Sequence, residues 1–161
     1  MELGRKAITW TAIHKYDDSG TTLYLCDSIV RHMAFSEYGN NNWEESDIRR
    51  WLNNEFLHLC FNDEERSKII NHSETGDKVF LLSKEEYIFC RENDFICDKR
   101  FSYEEIRGFI PLLKSPNDWW LRSKGVNNNY SCLVSFMGEI YHYGNPFHDN
   151  VGVRPAILVK E

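Results

Sequence analysis

The last third of the chain most constrains what this sequence can fold into. Two apolar segments with the residue types of β-strands bracket it: residues 118–123 (DWWLRS) and 152–157 (GVRPAI). Between them, residues 127–131 (NNNYS) and 141–150 (YHYGNPFHDN) are crowded with Asn, Tyr, His, Asp and Ser. Rigid strands that carry polar and aromatic loops are typical of a recognition surface rather than of an acid–base–nucleophile active site.

The size and charge of the chain exclude several classes of protein. A length of 161 residues predicts a single domain, residues 1–161, with a core of its own. The net charge of −6 and the absence of a Lys/Arg run argue against binding to nucleic acid or to an anionic membrane surface. Residues 1–6 have no apolar stretch of signal-peptide length, and no segment reaches the length of a membrane span. We therefore expect a soluble chain in the cytoplasm, associated with a phage, or displayed on a surface within a larger assembly.

The five cysteines are odd in number, and no two have C-x-x-C spacing, which excludes a zinc ribbon and a thioredoxin-like motif. Most are expected to be buried free thiols: Cys26, Cys60, Cys90, Cys97 and Cys132. Cys132 is the one thiol in the C-terminal β region. The sequence places no histidine beside it as an activating base.

The first two-thirds of the chain predicts two strands followed by helices. Residues 7–14 alternate like a strand, and residues 21–26 are predicted to form the returning strand after a turn. Ser46 is a suitable N-cap for a helix. Helical spacing then places these apolar residues on one face: Ile48, Trp51, Leu52, Phe56 and Leu59.

Three capping boxes predict further helix starts. The pairs are Asn62 with Glu65 before a helix over residues 63–70, Ser83 with Glu86, and Ser102 with Glu105. A short apolar strand over residues 79–82 lies between the first two pairs.

The end of the chain predicts strands again. Residues 118–123 form one strand, residues 132–136 and 139–143 form a hairpin, and residues 153–159 form the last strand. This order predicts an α+β fold. We expect one twisted antiparallel sheet in which the N- and C-terminal strands pair, with two or more helices packed on it.

The candidate site is a ligand-binding surface built from the C-terminal loops. Its proposed residues are Asn127, Asn128, Asn129, Tyr130, Tyr141, His142, Tyr143, Asn145, Phe147, His148, Asp149 and Asn150. Tyr supplies rigid amphipathic contact area, while Asn, Asp and Ser supply adaptable hydrogen bonds. The histidines have no metal-ligand spacing, so we expect no metal, no cofactor and no catalytic residue. Arg122 and Arg154 lie in apolar strands, where each is expected to bind a carboxylate or backbone carbonyls.

Several segments together resemble a known family. They are residues 8–10 (ITW), Trp43 followed by 46–53 (SDIRRWLN), 78–83 (KVFLLS), 119–123 (WWLRS) and 152–156 (GVRPA). The ordered set resembles a bacterial and phage domain family described as a domain of unknown function, related in shape to C-type-lectin-like folds. The resemblance implies a C-type-lectin-like fold for this chain.

Two relatives of that fold suggest activities. Formylglycine-generating enzymes share a similar closing motif, matched by residues 152–155, but they use a cysteine pair where this chain has only Cys132. Calcium-dependent lectins use a Glu-Pro-Asn triplet, and residues 145–147 (NPF) lack its carboxylate.

A third relative is the variable protein of diversity-generating retroelements, in which a lectin-like sheet displays a region randomised at the adenines of Asn-type codons. Mutation of both adenines of AAC gives NNC codons, which cannot encode Lys, Glu, Gln, Met or Trp. Between Asn127 and Asn150, only Met137 and Glu139 fall outside that set, and both lie at the predicted hairpin turn. Chance composition of an ordinary loop gives the same pattern.

The sequence thus predicts a domain that binds a protein or carbohydrate ligand through its C-terminal loops, with or without diversification. The alternatives are an enzyme that uses Cys132 and a structural module of a larger phage or cell-surface protein.

Overall fold

The chain is described by a computed structural model over residues 8–93 and 118–161. Within these residues, ten strands form two five-stranded sheets, with short helices between them. The fold is therefore α+β, as predicted. The predicted helix start at Ser102 and the thiol of Cys97 lie outside the described residues.

The strands in chain order are β1 (Trp10–Tyr16), β2 (Thr21–Cys26), β3 (Arg31–His32), β4 (Ile69–Ile70), β5 (Val79–Phe80), β6 (Trp119–Lys124), β7 (Ser131–Val134), β8 (Ile140–Gly144), β9 (Gly152–Val153) and β10 (Ala156–Lys160). The first sheet has the order β1-β2-β10-β4, with β5 also paired to β10. Strands β2 and β10 run antiparallel over five residue pairs. The predicted pairing of N- and C-terminal strands is confirmed.

The second sheet has the order β3-β9-β6-β7-β8, so the prediction of one sheet with a single last strand over residues 153–159 is wrong. The chain changes sheets between Val153 in β9 and Ala156 in β10. Pro155 has no N–H to donate to a ladder, which favours a break there. Around the break, Arg154 Nε donates to the carbonyl of Cys26 at 2.7 Å, and Cys26 N–H donates to the carbonyl of Pro155 at 2.9 Å.

The helical elements described before β6 are a 3-10 turn (Trp43–Glu45), α1 (Asp47–Trp51), a π-helical segment (Leu52–Phe56), α2 (Leu57–Cys60), α3 (Asp63–Lys68) and α4 (Lys84–Glu92). Ser46 caps α1, because its Oγ accepts the N–H of Arg49 at 3.1 Å. The prediction that Leu59 shares the buried face is wrong, since its side chain is 73% exposed and Leu57 is buried instead. A π segment inserts one extra residue into the helical turn, which rotates the following positions away from the α-helical spacing.

Both described capping boxes are confirmed, at Asn62 with Glu65 and at Ser83 with Glu86. Helix α3 nevertheless ends at Lys68 rather than at residue 70, because Ile69 and Ile70 pair with β10. Two β-branched residues are well suited to that extended conformation.

Trp120 of β6 connects the second sheet to the segment that follows β3. Its side chain is fully buried, its Nε1 donates to the carbonyl of Met33 at 2.9 Å, and its ring lies 5.7 Å from that of Phe35. A buried indole with its N–H satisfied is a strong packing anchor. It holds residues 33–42 beside the sheet that carries the C-terminal loops.

Arg122 is buried, and it binds both kinds of partner that the sequence predicts. Its guanidinium donates to the carbonyl of Leu81 at 2.8 Å and to the carboxylates of Glu86 and Glu74, the latter at 3.0 Å. The other oxygen of Glu86 lies 3.0 Å from Nε2 of His72. This network ties β6 to the start of α4 and to the turn before β5.

Glu86 is expected to make folding stability depend on acid pH. Burial by itself raises the pKa of this carboxyl, but the hydrogen bond with His72 and the charge of Arg122 outweigh it and lower the pKa from 4.5 to about 2. A carboxyl with a depressed pKa stabilises the fold above its unfolded pKa and loses that contribution as the pH falls towards the folded value, here about 3 kcal/mol between pH 4.5 and pH 2. Urea unfolding of the wild type and of Glu86→Gln over this range measures the effect. Wild-type stability should fall more steeply with acid; parallel curves would contradict the assignment.

Candidate binding surface

Strand β8 lies at the edge of the second sheet and carries two exposed tyrosines. Tyr141 and Tyr143 are 51% and 53% exposed, and their ring centroids lie 5.7 Å apart. The ring of Tyr130 lies 5.8 Å from that of Tyr143. Alternate residues of a strand face the same side, so the spacing Tyr-x-Tyr brings the two rings together. We call Tyr130, Tyr141 and Tyr143 the tyrosine cluster.

The loop between β6 and β7 folds against β8. Val126 N–H donates to the carbonyl of His142 at 2.9 Å, and Gly125 N–H donates to the carbonyl of Tyr130 at 2.7 Å. A Cβ at Gly125 would lie 2.1 Å from the oxygen of His142, so this approach requires glycine. The loop is therefore held by backbone hydrogen bonds at a fixed position beside the tyrosines.

The asparagines of this loop form a 3-10 turn, Asn127–Asn129. Asn127 has a positive φ of 50°, and its side-chain oxygen accepts the N–H of Asn129 at 3.0 Å. Asn tolerates this conformation better than most residues. All three side chains are exposed, beside the tyrosine cluster.

Asn41 anchors the same loop from a distant part of the chain. Its side chain is buried, and its Nδ2 donates to the carbonyl of Tyr130 at 2.9 Å and to that of Asn127 at 3.5 Å. The loop conformation thus depends on residues 36–42 as well as on β8.

We expect Asn41→Ala to cost about 1 kcal/mol, because the carbonyl of Tyr130 loses one of its two donors and keeps the N–H of Gly125. Amide hydrogen exchange should also speed up at residues 127–130. Asn128→Ala is the matched control, since Asn128 lies in the same turn with an exposed side chain and should leave both quantities near wild type. Unchanged exchange in Asn41→Ala would show that the loop holds its conformation without this anchor.

A second loop, residues 145–150, places Phe147 at the surface. The side-chain oxygen of Asn145 accepts the N–H of Phe147 at 3.0 Å, and its carbonyl accepts the N–H of His148 at 3.0 Å. The ring of Phe147 is 58% exposed and lies directly on Gly39, where a Cβ would come within 2.3 Å of it. Asn145 therefore shapes the turn that presents Phe147.

Tyr38 joins this surface although the sequence analysis missed it. It precedes Gly39 and is 90% exposed. Residues 36–42 contact the tyrosine cluster's loop through Asn41 and the second loop through Gly39. The Asn-rich composition of this segment was the available signal, but nothing in the sequence places it beside the C-terminal loops.

Most of the predicted residues are exposed, and residues 36–42 contact both of the loops that carry them. Exposed members are Asn127, Asn128, Asn129, Tyr141, Tyr143, Phe147, His148, Asp149 and Asn150, and half-buried members are Tyr130, His142 and Asn145. The side chain of His142 is the exception. It lies between the two tyrosines of β8 in the chain, so it points to the opposite face of the strand, where it contacts Cys132.

Cys132 has the histidine neighbour that the sequence could not place. Its Sγ lies 3.4 Å from Nδ1 of His142. The thiol is buried, and burial raises the pKa of Cys132 above its ordinary value. Cys26 and Cys90 are likewise buried free thiols, as expected, whereas Cys60 is partly exposed.

Comparison with known proteins places the chain in a family. Residues 19–161 match the family described as "Domain of unknown function (DUF6273)". The chain belongs to the DUF6273 family. No curated protein and no solved structure matches it. All members of the candidate surface lie within the matched range of the DUF6273 domain, whereas β1 precedes it.

Within the described part of this DUF6273 domain, no three His, Cys, Asp or Glu side chains are grouped to hold a metal ion. Among residues 8–93 and 118–161, no helix has the length and apolar character needed to cross a membrane.

Proposed function

We propose that this DUF6273 domain is a protein-recognition module with a C-type-lectin-like fold, and that it binds its partner through the tyrosine cluster and the adjoining loops. The observation that carries the proposal is a pair of half-exposed tyrosines on a strand, flanked by loops that backbone hydrogen bonds hold in place. Single exposed aromatic rings are common on soluble proteins, whereas a contiguous group of them marks an interaction site. Ordered tyrosines also lose little conformational entropy on binding.

The ring geometry favours a protein partner over a carbohydrate. The rings of Tyr141 and Tyr143 are inclined by 56°, and those of Tyr130 and Tyr143 by 69°. Neighbouring rings at such angles form a ridge rather than a flat platform on which successive sugar rings could stack. A ridge of tyrosines with amide groups beside it suits the irregular surface of a protein.

Diversification by a retroelement is a finer form of this proposal. The exposed residues of β8 and the two loops would then be the variable positions, while the buried residues of β7 would be fixed. The genomic locus tests this, through a near-copy of the segment encoding residues 119–156 beside a reverse transcriptase gene. Adenine-linked differences should fall at the codons of exposed residues such as Asn127–Asn129, Tyr141 and Tyr143. A locus without the near-copy, or differences concentrated in β7, would count against diversification and leave recognition by a fixed surface.

The second candidate function is an enzyme that uses Cys132, and the 3.4 Å contact with His142 is the observation in its favour. Burial and the raised pKa of Cys132 count against a reactive thiolate. Faster alkylation of Cys132 than of free cysteine at pH 7 would favour the enzyme. A purely structural module is the third candidate.

The proposed function is tested by replacing the exposed tyrosines. Wild type and the double variant Tyr141→Ala, Tyr143→Ala are used to capture proteins from cells that encode this chain, and the captured protein is purified for calorimetric titration. We expect Kd to weaken at least about thirty-fold, since buried aromatic anchors contribute about 2 kcal/mol or more to such interfaces.

Tyr16→Ala is the matched control, because Tyr16 is an exposed tyrosine on β1, outside the surface and outside the family match. It should bind like wild type. Equal binding by all three proteins would overturn the proposal. Binding of glycans on an array, lost in the double variant, would replace the protein partner by a carbohydrate.

A further inference from the structure

A cleft of about 410 Å³ lies beside Phe147, and none of the three tyrosines of the tyrosine cluster is among its lining residues. Its walls come from β3, residue Glu37, the start of α1 at Asp47 and the second C-terminal loop at Asp149. A volume of this size admits one long side chain of a partner.

The charged groups of the cleft are unequal in number. Three carboxylates, Glu37, Asp47 and Asp149, face one guanidinium, Arg31. The guanidinium of Arg31 is engaged over the Trp51 ring, 5.1 Å from its centroid.

Two of these carboxylates have capacity to spare. Asp47 already accepts the backbone N–H of Glu37 at 2.7 Å and pairs with Arg50 at 3.3 Å. The exposed carboxylates of Glu37 and Asp149 have no hydrogen-bond or ion-pair partner in the described part of the chain.

The aromatic ring of Phe147 complements these carboxylates. Phe147 lines the cleft, lies on Gly39 and is 58% exposed. An aromatic face beside carboxylates is the chemistry that binds a guanidinium or ammonium group, because both components attract a cation. A neutral or acidic side chain would gain from only one component or from neither.

We propose that this cleft binds an arginine or lysine side chain from a basic segment of the protein partner. The inference deepens the proposed function and rests on it, since it adds a charged anchor to a surface whose tyrosines supply the apolar contacts. The net charge of −6 of the whole chain also favours the approach of a basic partner.

The test uses N-acetyl-arginine-methylamide as the probe. Amide chemical shifts of the isotope-labelled protein are followed at low ionic strength, with the corresponding norleucine and glutamate compounds as comparisons. We expect saturable shifts at residues 37 and 147–149 with the arginine compound and at least ten-fold weaker binding of the other two. The double variant Glu37→Gln, Asp149→Asn should bind the arginine compound about ten-fold more weakly. Phe147→Leu should also weaken it, because leucine keeps apolar volume without the π face.

Preferential binding of the glutamate compound would make the cleft an anion site governed by Arg31 and overturn the proposal. Equal binding of the norleucine compound, or unchanged binding in the double variant, would overturn it as well. The Tyr141→Ala, Tyr143→Ala protein should bind the arginine compound like wild type. A failure of this inference is therefore distinguishable from a failure of the tyrosine surface.

Discussion

Replacement of Arg122 by Met is expected to destabilise the fold by about 3–5 kcal/mol, the cost of removing one partner from a buried ion pair. Glu86 would keep a largely buried carboxylate with only His72 and the N–H of Ser83 as partners, and the carbonyl of Leu81 would lose its donor. Glu74 is mostly exposed and would regain water. In a chain of this length, the melting temperature should fall by about 10 °C or more. Urea and thermal unfolding measure both quantities.

Arg91→Met is the matched control, because Arg91 makes an exposed ion pair with Glu139 at 3.1 Å. Such pairs contribute about 0–1 kcal/mol, so this variant should unfold near wild type. Adding Glu86→Gln to Arg122→Met should recover part of the loss, because the unpaired carboxylate is removed. Equal losses in Arg122→Met and Arg91→Met would show that the buried network adds little stability.

Removal of Asp77 is expected to have the next largest effect. This buried carboxylate accepts Nε1 of Trp43 at 2.9 Å and Nε of Arg49 at 2.8 Å. Asp77→Ala would strand the buried indole N–H and leave Arg49 to be rehydrated, for a loss of about 3 kcal/mol. Asp77 joins the turn before β5 to α1. Because the substitution changes stability and not the surface exposed on unfolding, the midpoint of urea unfolding should fall while the slope stays unchanged.

Asp63→Ala provides the comparison for Asp77→Ala. Asp63 also pairs with an arginine, Arg66, but its side chain is almost fully exposed. We expect less than about 1 kcal/mol from this change. A loss as large as that of Asp77→Ala would mean that helix-start electrostatics, rather than the buried contacts of Asp77, determine the result.

Local chemistry made much of the secondary structure predictable. Ser46, Asn62 and Ser83 begin helices because their side chains accept N–H groups that the first turn leaves free. The turn signal before residues 21–26 likewise identified β2 as the returning strand, although its residues are nearly all buried rather than alternating. These signals depend on neighbours within a few positions of the chain.

The errors come from features that depend on distant contacts. The π-helical segment moves Leu59 to the surface. The α-helical spacing of the neighbouring apolar residues gives no sign of the extra residue in that turn. Helix α3 ends before Ile69 and Ile70 because these residues form backbone hydrogen bonds with β10. Pro155 indicates a break in a strand, and this could be seen in the sequence. That the chain changes sheets at this break depends on the position of the second sheet, which the sequence does not show.

The candidate surface divides in the same way. The spacing of Tyr141 and Tyr143 on a predicted strand was enough to expect them on one side. The contribution of Tyr38 depends on contacts of residues 33–42 with distant segments, among them those of Trp120, Asn41 and Gly39. The contact between Cys132 and His142 depends on the irregular register of the β7–β8 pair. The sequence predicts neither.

The central claim is that a protein partner covers the tyrosine cluster and the loops around it. Hydroxyl-radical footprinting of the domain, free and in complex with the captured partner, reads the exposure of aromatic side chains directly. We expect oxidation of Tyr141, Tyr143 and Phe147 to fall several-fold in the complex, while Tyr16 stays unchanged. Protection of Tyr16 with no change at Tyr141 and Tyr143 would place the partner elsewhere and contradict the account.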